Sequence, residues 1–256
     1  MIKHPPAPYI YTQWQHAKQS GQKLFAVLLD PDHLTPDNLP MLVGQAVATG
    51  IDVLLVGGSL VMCHDMDAKI ARIKELCALP VVIFPGSAQQ ICPAADAILL
   101  LSLVSGRNPD LLIGQHVVAA PLLKKSRLEL LPTGYMLIDG GAPTTVSYMS
   151  HTTPIPADKT PIAVCTAMAA EMLGLRLVYL DAGSGAQRAV PIDMIRAVSR
   201  HIAVPLIIGG GIRSPQAAAD ACSAGADIIV VGNALEQNAQ LMGDIAAAVH
   251  AQNRLS

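Results

Sequence analysis

Eight short apolar runs alternating with helix-forming stretches, in a chain of 256 residues, predict an α/β fold, a (β/α)8 TIM barrel. Two further observations support this. The runs are continuous in Val, Ile and Leu rather than alternating with polar residues, as parallel strands buried on both faces are. The last three of them each end in a glycine-bearing segment, which suits the mouth of a barrel. An open doubly wound sheet is the structural alternative, but it would want a glycine fingerprint after its first strand, and none is there. One domain spanning 1–256 is expected.

In chain order the predicted strands are 23–29, 52–57, 80–84, 96–102, 134–139, 175–180, 204–209 and 226–232. Residues 35–50 read as a helix with Thr35 as cap, Pro36 early and Gly50 as stop. Residues 158–174 read as another, ending at Gly174. A third, over 214–225, has Ser214 as cap, Pro215 at the first helical position and Gly225 as stop. Only PGSAQQICPAA separates the third and fourth strands, and Pro85 and Pro93 interrupt it. That is too little for a useful crossover helix, so the third helix is expected to be shortened or missing, leaving a lateral opening. After the fifth strand lies a long polar insert, 140–160, of the length that binding loops and lids have.

Composition removes several function classes. Apolar residues make up 52% of the chain and charged residues 14%, so a large core is expected and disorder is not. With a net charge of −2 and eight aromatic residues, there is no basic surface for nucleic acid. Mean hydropathy is positive at +0.43, yet no segment nears 18 uninterrupted apolar residues and the N-terminus has no signal-type apolar core. Five cysteines with no CxxC pair read as small core residues in a reducing cytoplasm.

The chemistry-bearing segments gather at predicted strand ends. AGSGA, GGGIRS and GNALEQN follow strands six, seven and eight. Glycines let backbone N–H groups approach an anion, so Gly209, Gly210 and Gly211 on one side and Gly232 and Asn233 on the other suit a phosphate. DPD at 30–32 ends the first strand, and Ser59 stands at the mouth of the second. A carboxylate and a hydroxyl there suit Mg²⁺, which keeps waters and borrows phosphate oxygens; a solvated turn is the other reading. The eight histidines show no HExxH spacing, though His33 and His151 lie in candidate site loops. Arg107, in SGRNP after the fourth strand, suits either a phosphate clamp or a solvated loop.

LLDPDH, VGGSL, SGRNP, HTTPIPADK, VYLDAGSGA, PLIIGGGIRS and VVGNALEQN occur in this order, and together they resemble the geranylgeranylglyceryl phosphate synthase family over about residues 11–250. The HTTPIP and YLDAGSGA segments are similar to its larger-subunit group of archaea and some bacteria. The resemblance implies a barrel without its third helix and an Mg²⁺-dependent prenyltransferase. Such an enzyme joins a polyprenyl diphosphate, geranylgeranyl diphosphate first and a C35 chain as the alternative, to the C3 hydroxyl of sn-glycerol 1-phosphate. It implies Asp30 and Ser59 as metal ligands. It implies Tyr179, Leu180, Asp181, Ala182, Gly183, Ser184, Gly185, Gly209, Gly210, Gly211, Gly232 and Asn233 as the glycerol-phosphate site. Arg107 and His33 become possible diphosphate contacts. A homo-oligomer, as dimers or dimers assembled into hexamers, and transient contact with a membrane surface are implied as well. Two positions depart from the family pattern: Asp181 stands where Glu is frequent, and His33 where Lys often follows DPD.

On this reading the glycine loops hold the phosphate while Asp181, as the catalytic carboxylate, faces the polyol end and a cation-like allylic carbon. The hydrocarbon tail lies in the gap left by the third helix, near Ile91. Two alternatives stand beside it. One is another phosphate-handling barrel, a sugar-phosphate isomerase or cyclase, with Asp139 partnering Asp30. The other is a non-catalytic barrel that binds a phosphorylated metabolite.

Overall fold

The computed structural model describes residues 10–232 and 239–253. Its eight strands close in sequence order into one barrel, every neighbouring pair parallel. The strands are β1 (Leu24–Leu29), β2 (Val53–Gly58), β3 (Val81–Pro85), β4 (Ala97–Leu103), β5 (Glu129–Leu137), β6 (Leu177–Asp181), β7 (Leu206–Gly209) and β8 (Ile228–Val231). The helices are α1 (Ile10–Ser20), α2 (Leu39–Ala48), α3 (Met66–Leu76), α4 (Gln115–Ser126), α5 (Thr145–Ser150), α6 (Thr160–Met172), α7 (Ile192–Ser199), α8 (Pro215–Ser223) and α9 (Ala239–His250).

The expected gap is present. Between β3 and β4 the only helical element is a single 3₁₀ turn, Ala88–Gln90. Three boundaries differ from the sequence reading. β5 starts at Glu129 rather than 134, because Pro132 and Gly134 interrupt its apolar run. The strand tolerates Pro132, whose carbonyl still accepts the Arg176 N–H at 2.8 Å. β6 extends to include Asp181. α2 starts at Leu39, not near Thr35, since Thr35 and Asn38 bond each other's backbone N–H groups in a turn ahead of it. Ser214 caps α8 as expected, accepting the Ala217 N–H at 3.2 Å.

Alternate strand residues build two cores. Leu24, Val53, Leu99, Leu131, Leu177 and Ile207 fill the barrel, while Phe25, Leu54, Ile83, Val178, Leu180 and Ile208 pack against the helices. The inner core is closed from below by α1, which the sequence reading did not contain. Its Ile10, Trp14 and Ala17 bury into the barrel floor. Each large apolar side chain removed from water there contributes roughly 2 kcal/mol.

A repeated device ties off that floor. Asp52, Asp96 and Asp227 each stand just before an even-numbered strand. Each accepts an N–H at the start of the preceding strand: Phe25 at 2.7 Å, Val81 at 2.8 Å and Leu206 at 2.9 Å. Each also meets a cation-forming side chain: His250 on Asp52, Lys74 on Asp96, and both Lys18 and Lys23 on Asp227. Glu129 completes the set, accepting the N–H groups of Ile10 and Tyr11 at the N-terminus of α1.

Candidate active site

At the opposite end, where the strands finish, the barrel opens into a cavity of about 680 Å³. β1 and β2 deliver Asp30 and Ser59, β6 delivers Tyr179 and Asp181, and the loops after β6 and β7 deliver Gly183–Gly185 and Gly210–Arg213. The period of two along β6 decides what faces inward. Tyr179 and Asp181 point into the barrel, whereas Leu180 and Ala182 point to the helices. The expectation that Leu180 and Ala182 belong to the site is corrected on that ground for their side chains.

Asp181 is 6% exposed and both its oxygens are engaged. Oδ2 accepts the Tyr135 hydroxyl at 2.6 Å, and Oδ1 accepts the Gly183 N–H at 2.7 Å. Burial raises its pKa above the usual carboxylate range, and these two hydrogen bonds pull the other way. Tyr135 and Tyr179 are pushed well above the ordinary phenol value, first by burial and then by the neighbouring carboxylate, so both stay protonated donors. Phe84 joins them: its ring stacks on Tyr179 at 5.5 Å and meets the edge of Tyr135 at 5.9 Å.

The glycines are dictated by close approach. Gly209 does not line the cavity; a Cβ there would run into the Tyr179 ring, with Cε2 at 3.0 Å. Gly210 has φ of +76°, and a Cβ would sit 2.8 Å from Ala182 N and 2.6 Å from Asp181 Oδ1. Gly209 and Gly210 therefore let β6 and β7 carry the tyrosine and the carboxylate side by side.

The remaining expectations divide. Asp30 and Ser59 both line the cavity, as do Gly211 and Gly232. Asp30 Oδ1 accepts the Asp32 N–H at 2.9 Å, while Asp32 turns away to hold the N–H groups of Met62 and Cys63. Arg107 is exposed, is not among the cavity residues and folds onto the carbonyls of Val104 and Gly106. His33 is exposed and lies outside the cavity lining too. Asp139 gives an oxygen to the Gly141 N–H and is likewise outside it, so the pairing with Asp30 finds no support. His151, in the polar insert, ends α5 with φ of +50°. Asn233 lies outside the described residues.

Sequence reasoning missed Tyr135, Phe84, Val146 and Arg213. Arg213 sits in the quoted GGGIRS segment, lines the cavity and donates to the Ala186 carbonyl at 2.8 Å, which leaves further N–H groups for an anion. Val146, on the helix within the polar insert, borders both the cavity and a second, apolar groove of about 180 Å³. That groove runs along the flank where the third helix is lacking. Ile91, Leu99, Leu101, Ala119 and Leu123 line it, and Gly58, Ser59, Phe84 and Val146 belong to both spaces.

A family model described as the PcrB family matches residues 13–250. The chain belongs to the PcrB family. Among its curated relatives, a geranylgeranylglyceryl phosphate synthase of Chitinophaga pinensis is 53% identical over 94% of this chain and 96% of its own length. One of Spirosoma linguale is 55% identical over 93% of this chain and 95% of its own. Among solved structures, (S)-3-O-geranylgeranylglyceryl phosphate synthase from Thermoplasma acidophilum, in complex with its substrate sn-glycerol-1-phosphate, superposes with a TM-score of 0.91. It is 33% identical and covers 96% of this chain and 100% of its own. The superposition accords with the barrel described above.

Proposed function

We propose that this chain transfers the geranylgeranyl group of its diphosphate to the C3 hydroxyl of sn-glycerol 1-phosphate, releasing diphosphate. The observation that carries the proposal is the junction itself. A polar cavity holding a buried carboxylate and anion-ready glycine loops opens into an apolar groove, and the two share Phe84 and Val146.

The N–H groups of Gly183–Gly185 and Gly210–Gly211, with Arg213, receive the glycerol phosphate. Asp181 orients the C3 hydroxyl and takes its proton as the oxygen forms a bond to allylic C1 and the C1–O bond to diphosphate breaks. The same carboxylate and the faces of Phe84 and Tyr179 steady positive charge at C1. The groove keeps the hydrocarbon dry.

Mg²⁺ fits the donors present. Asp30 and Ser59 are hard oxygen donors on neighbouring strand ends, and among the described residues there is no cluster of three or more His, Cys, Asp or Glu that would hold a metal alone. One carboxylate and a hydroxyl suit an ion that keeps waters and uses the substrate's phosphates. When bound, it neutralises charge on the departing diphosphate. Activity lost on chelation and regained with Mg²⁺ is the check.

The polar insert, with Thr145 and Val146 over the cavity, acts as its cover. All five cysteines are free, which accords with a reducing cytoplasm. No described helix is long and apolar enough to cross a membrane. Contact with an anionic lipid surface is supported by α4, whose exposed side carries Val117, Val118 and Leu122 ahead of Lys124, Lys125 and Arg127. Charge reversal at Lys124 and Lys125 should weaken co-sedimentation with anionic vesicles. A homo-oligomer remains expected, to be read by light scattering.

The deciding experiment mixes purified protein, Mg²⁺ and labelled sn-glycerol 1-phosphate with C15, C20 and C35 prenyl diphosphates and follows label into an organic extract. Transfer from the C20 donor, and not to sn-glycerol 3-phosphate, is the expected result. Transfer from none of them sinks the proposal.

A further inference from the structure

Tyr135 belongs to both halves of the junction. Its ring lines the apolar groove, and its hydroxyl donates to a carboxylate that lines the polar cavity. It faces Tyr179 across the β5–β6 pairing, and its ring is locked edge-on against Tyr179 at 5.5 Å and Phe84 at 5.9 Å. It is 5% exposed. A phenol held this firmly at one distance from a buried carboxylate fixes the plane of that carboxylate.

We propose that Tyr135 is a positioning residue that fixes the plane of the Asp181 carboxyl and aims it at the acceptor hydroxyl, so that Asp181 works as a base. This rests on the prenyl-transfer reading above. Burial by itself penalises the charged form of Asp181 and so favours the neutral acid. Tyr135 opposes burial by donating to Oδ2, and the Gly183 N–H does so at Oδ1. The other titratable or charged groups bordering the same cavity are Tyr179 from β6, Asp30 at the end of β1 and Arg213 after β7. Of these, Tyr179 stays neutral, and what acts on Asp181 is burial first, then the Tyr135 hydroxyl and the Gly183 N–H. Among the described residues Tyr135 is the one side chain hydrogen-bonded to Asp181.

The test is Tyr135→Phe, which keeps the ring and removes the donor. Loss of a hydrogen bond to the ionised form raises the carboxyl pKa, so the acid limb of the kcat/KM profile should move up by about one pH unit. Below the new limb the rate should fall roughly tenfold, with KM for glycerol phosphate changed by less than about threefold, since substrate contacts are intact. A second readout needs no turnover: the carboxyl band of Asp181 in infrared difference spectra, assigned by its absence in Asp181→Asn, followed through an acid titration. The expected result is that band and limb move upward together in Tyr135→Phe. An unmoved band, with activity reduced equally at every pH, would overturn the proposal and leave Tyr135 a packing residue. A moved band in a protein whose wild type transfers no prenyl group would overturn the prenyl-transfer reading while leaving the Tyr135–Asp181 link standing.

Discussion

The two ends of the barrel handle buried carboxylates in opposite ways. At the floor, Asp227 is 4% exposed and bonded to two lysines, and Asp52 and Asp96 have cation-forming partners of their own. At the mouth, Asp181 is 6% exposed and, among the described residues, is held by a phenol and a backbone N–H. A buried carboxylate met by cations is committed to holding the fold; one met by neutral donors is left to act on a ligand. The two clusters sit at opposite ends of the same strands, so stability and chemistry are separable by mutation.

Asp181→Asn tests that separation most severely. It should keep the fold and lower prenyl transfer by about 100-fold or more, because an amide takes no proton; label transfer alongside thermal melting reads both. Asp227→Ala should do the reverse. It leaves Lys18 and Lys23 without their acceptor and the Leu206 N–H unpaired, costing roughly 3 kcal/mol in denaturant unfolding, with turnover per folded molecule kept. Gly210→Ala strikes between these ends. The positive φ and the contact with Ala182 N should cost about 1–2 kcal/mol and weaken glycerol-phosphate binding, seen by calorimetry. Ile91→Trp should shorten the accepted prenyl chain without changing glycerol-phosphate affinity; an unchanged chain preference would remove the groove from the reading.

The smallest effect concerns pH at the floor. Asp52 holds the pKa of His250 above its ordinary value. A raised folded-state pKa contributes stability that is full below the unfolded value, about 6.5, and is lost as pH rises through the folded one. His250→Ala should therefore destabilise the fold more in mild acid than in mild base, by under about 1 kcal/mol for this partly exposed pair, read by denaturant unfolding at the two pH values.

Which parts of this were legible in the chain follows from how local each signal is. The barrel showed as continuous apolar runs, and the absent helix as a segment with Pro85 and Pro93 and no room for turns. The start of β5 was hidden because Glu129, Pro132 and Gly134 imitate a loop. Asp181 stood out beside its glycines, but contiguous motif reading also drew in Leu180 and Ala182, which strand parity turns outward. Tyr135 was invisible: its partner is 46 positions away, and only closure of β5 onto β6 joins them. The floor aspartates went unread for the same reason, Asp227 meeting Lys18 across 209 positions.

The plugged floor and the missing third helix together set the traffic of the molecule. With α1 sealing one end, access is left to the mouth and to the flank. On the prenyl-transfer reading, the flank slit open beside Ile91 would let a long hydrocarbon be laid in sideways rather than threaded through a tunnel. The product would keep that hydrocarbon, so the same open flank would serve its exit.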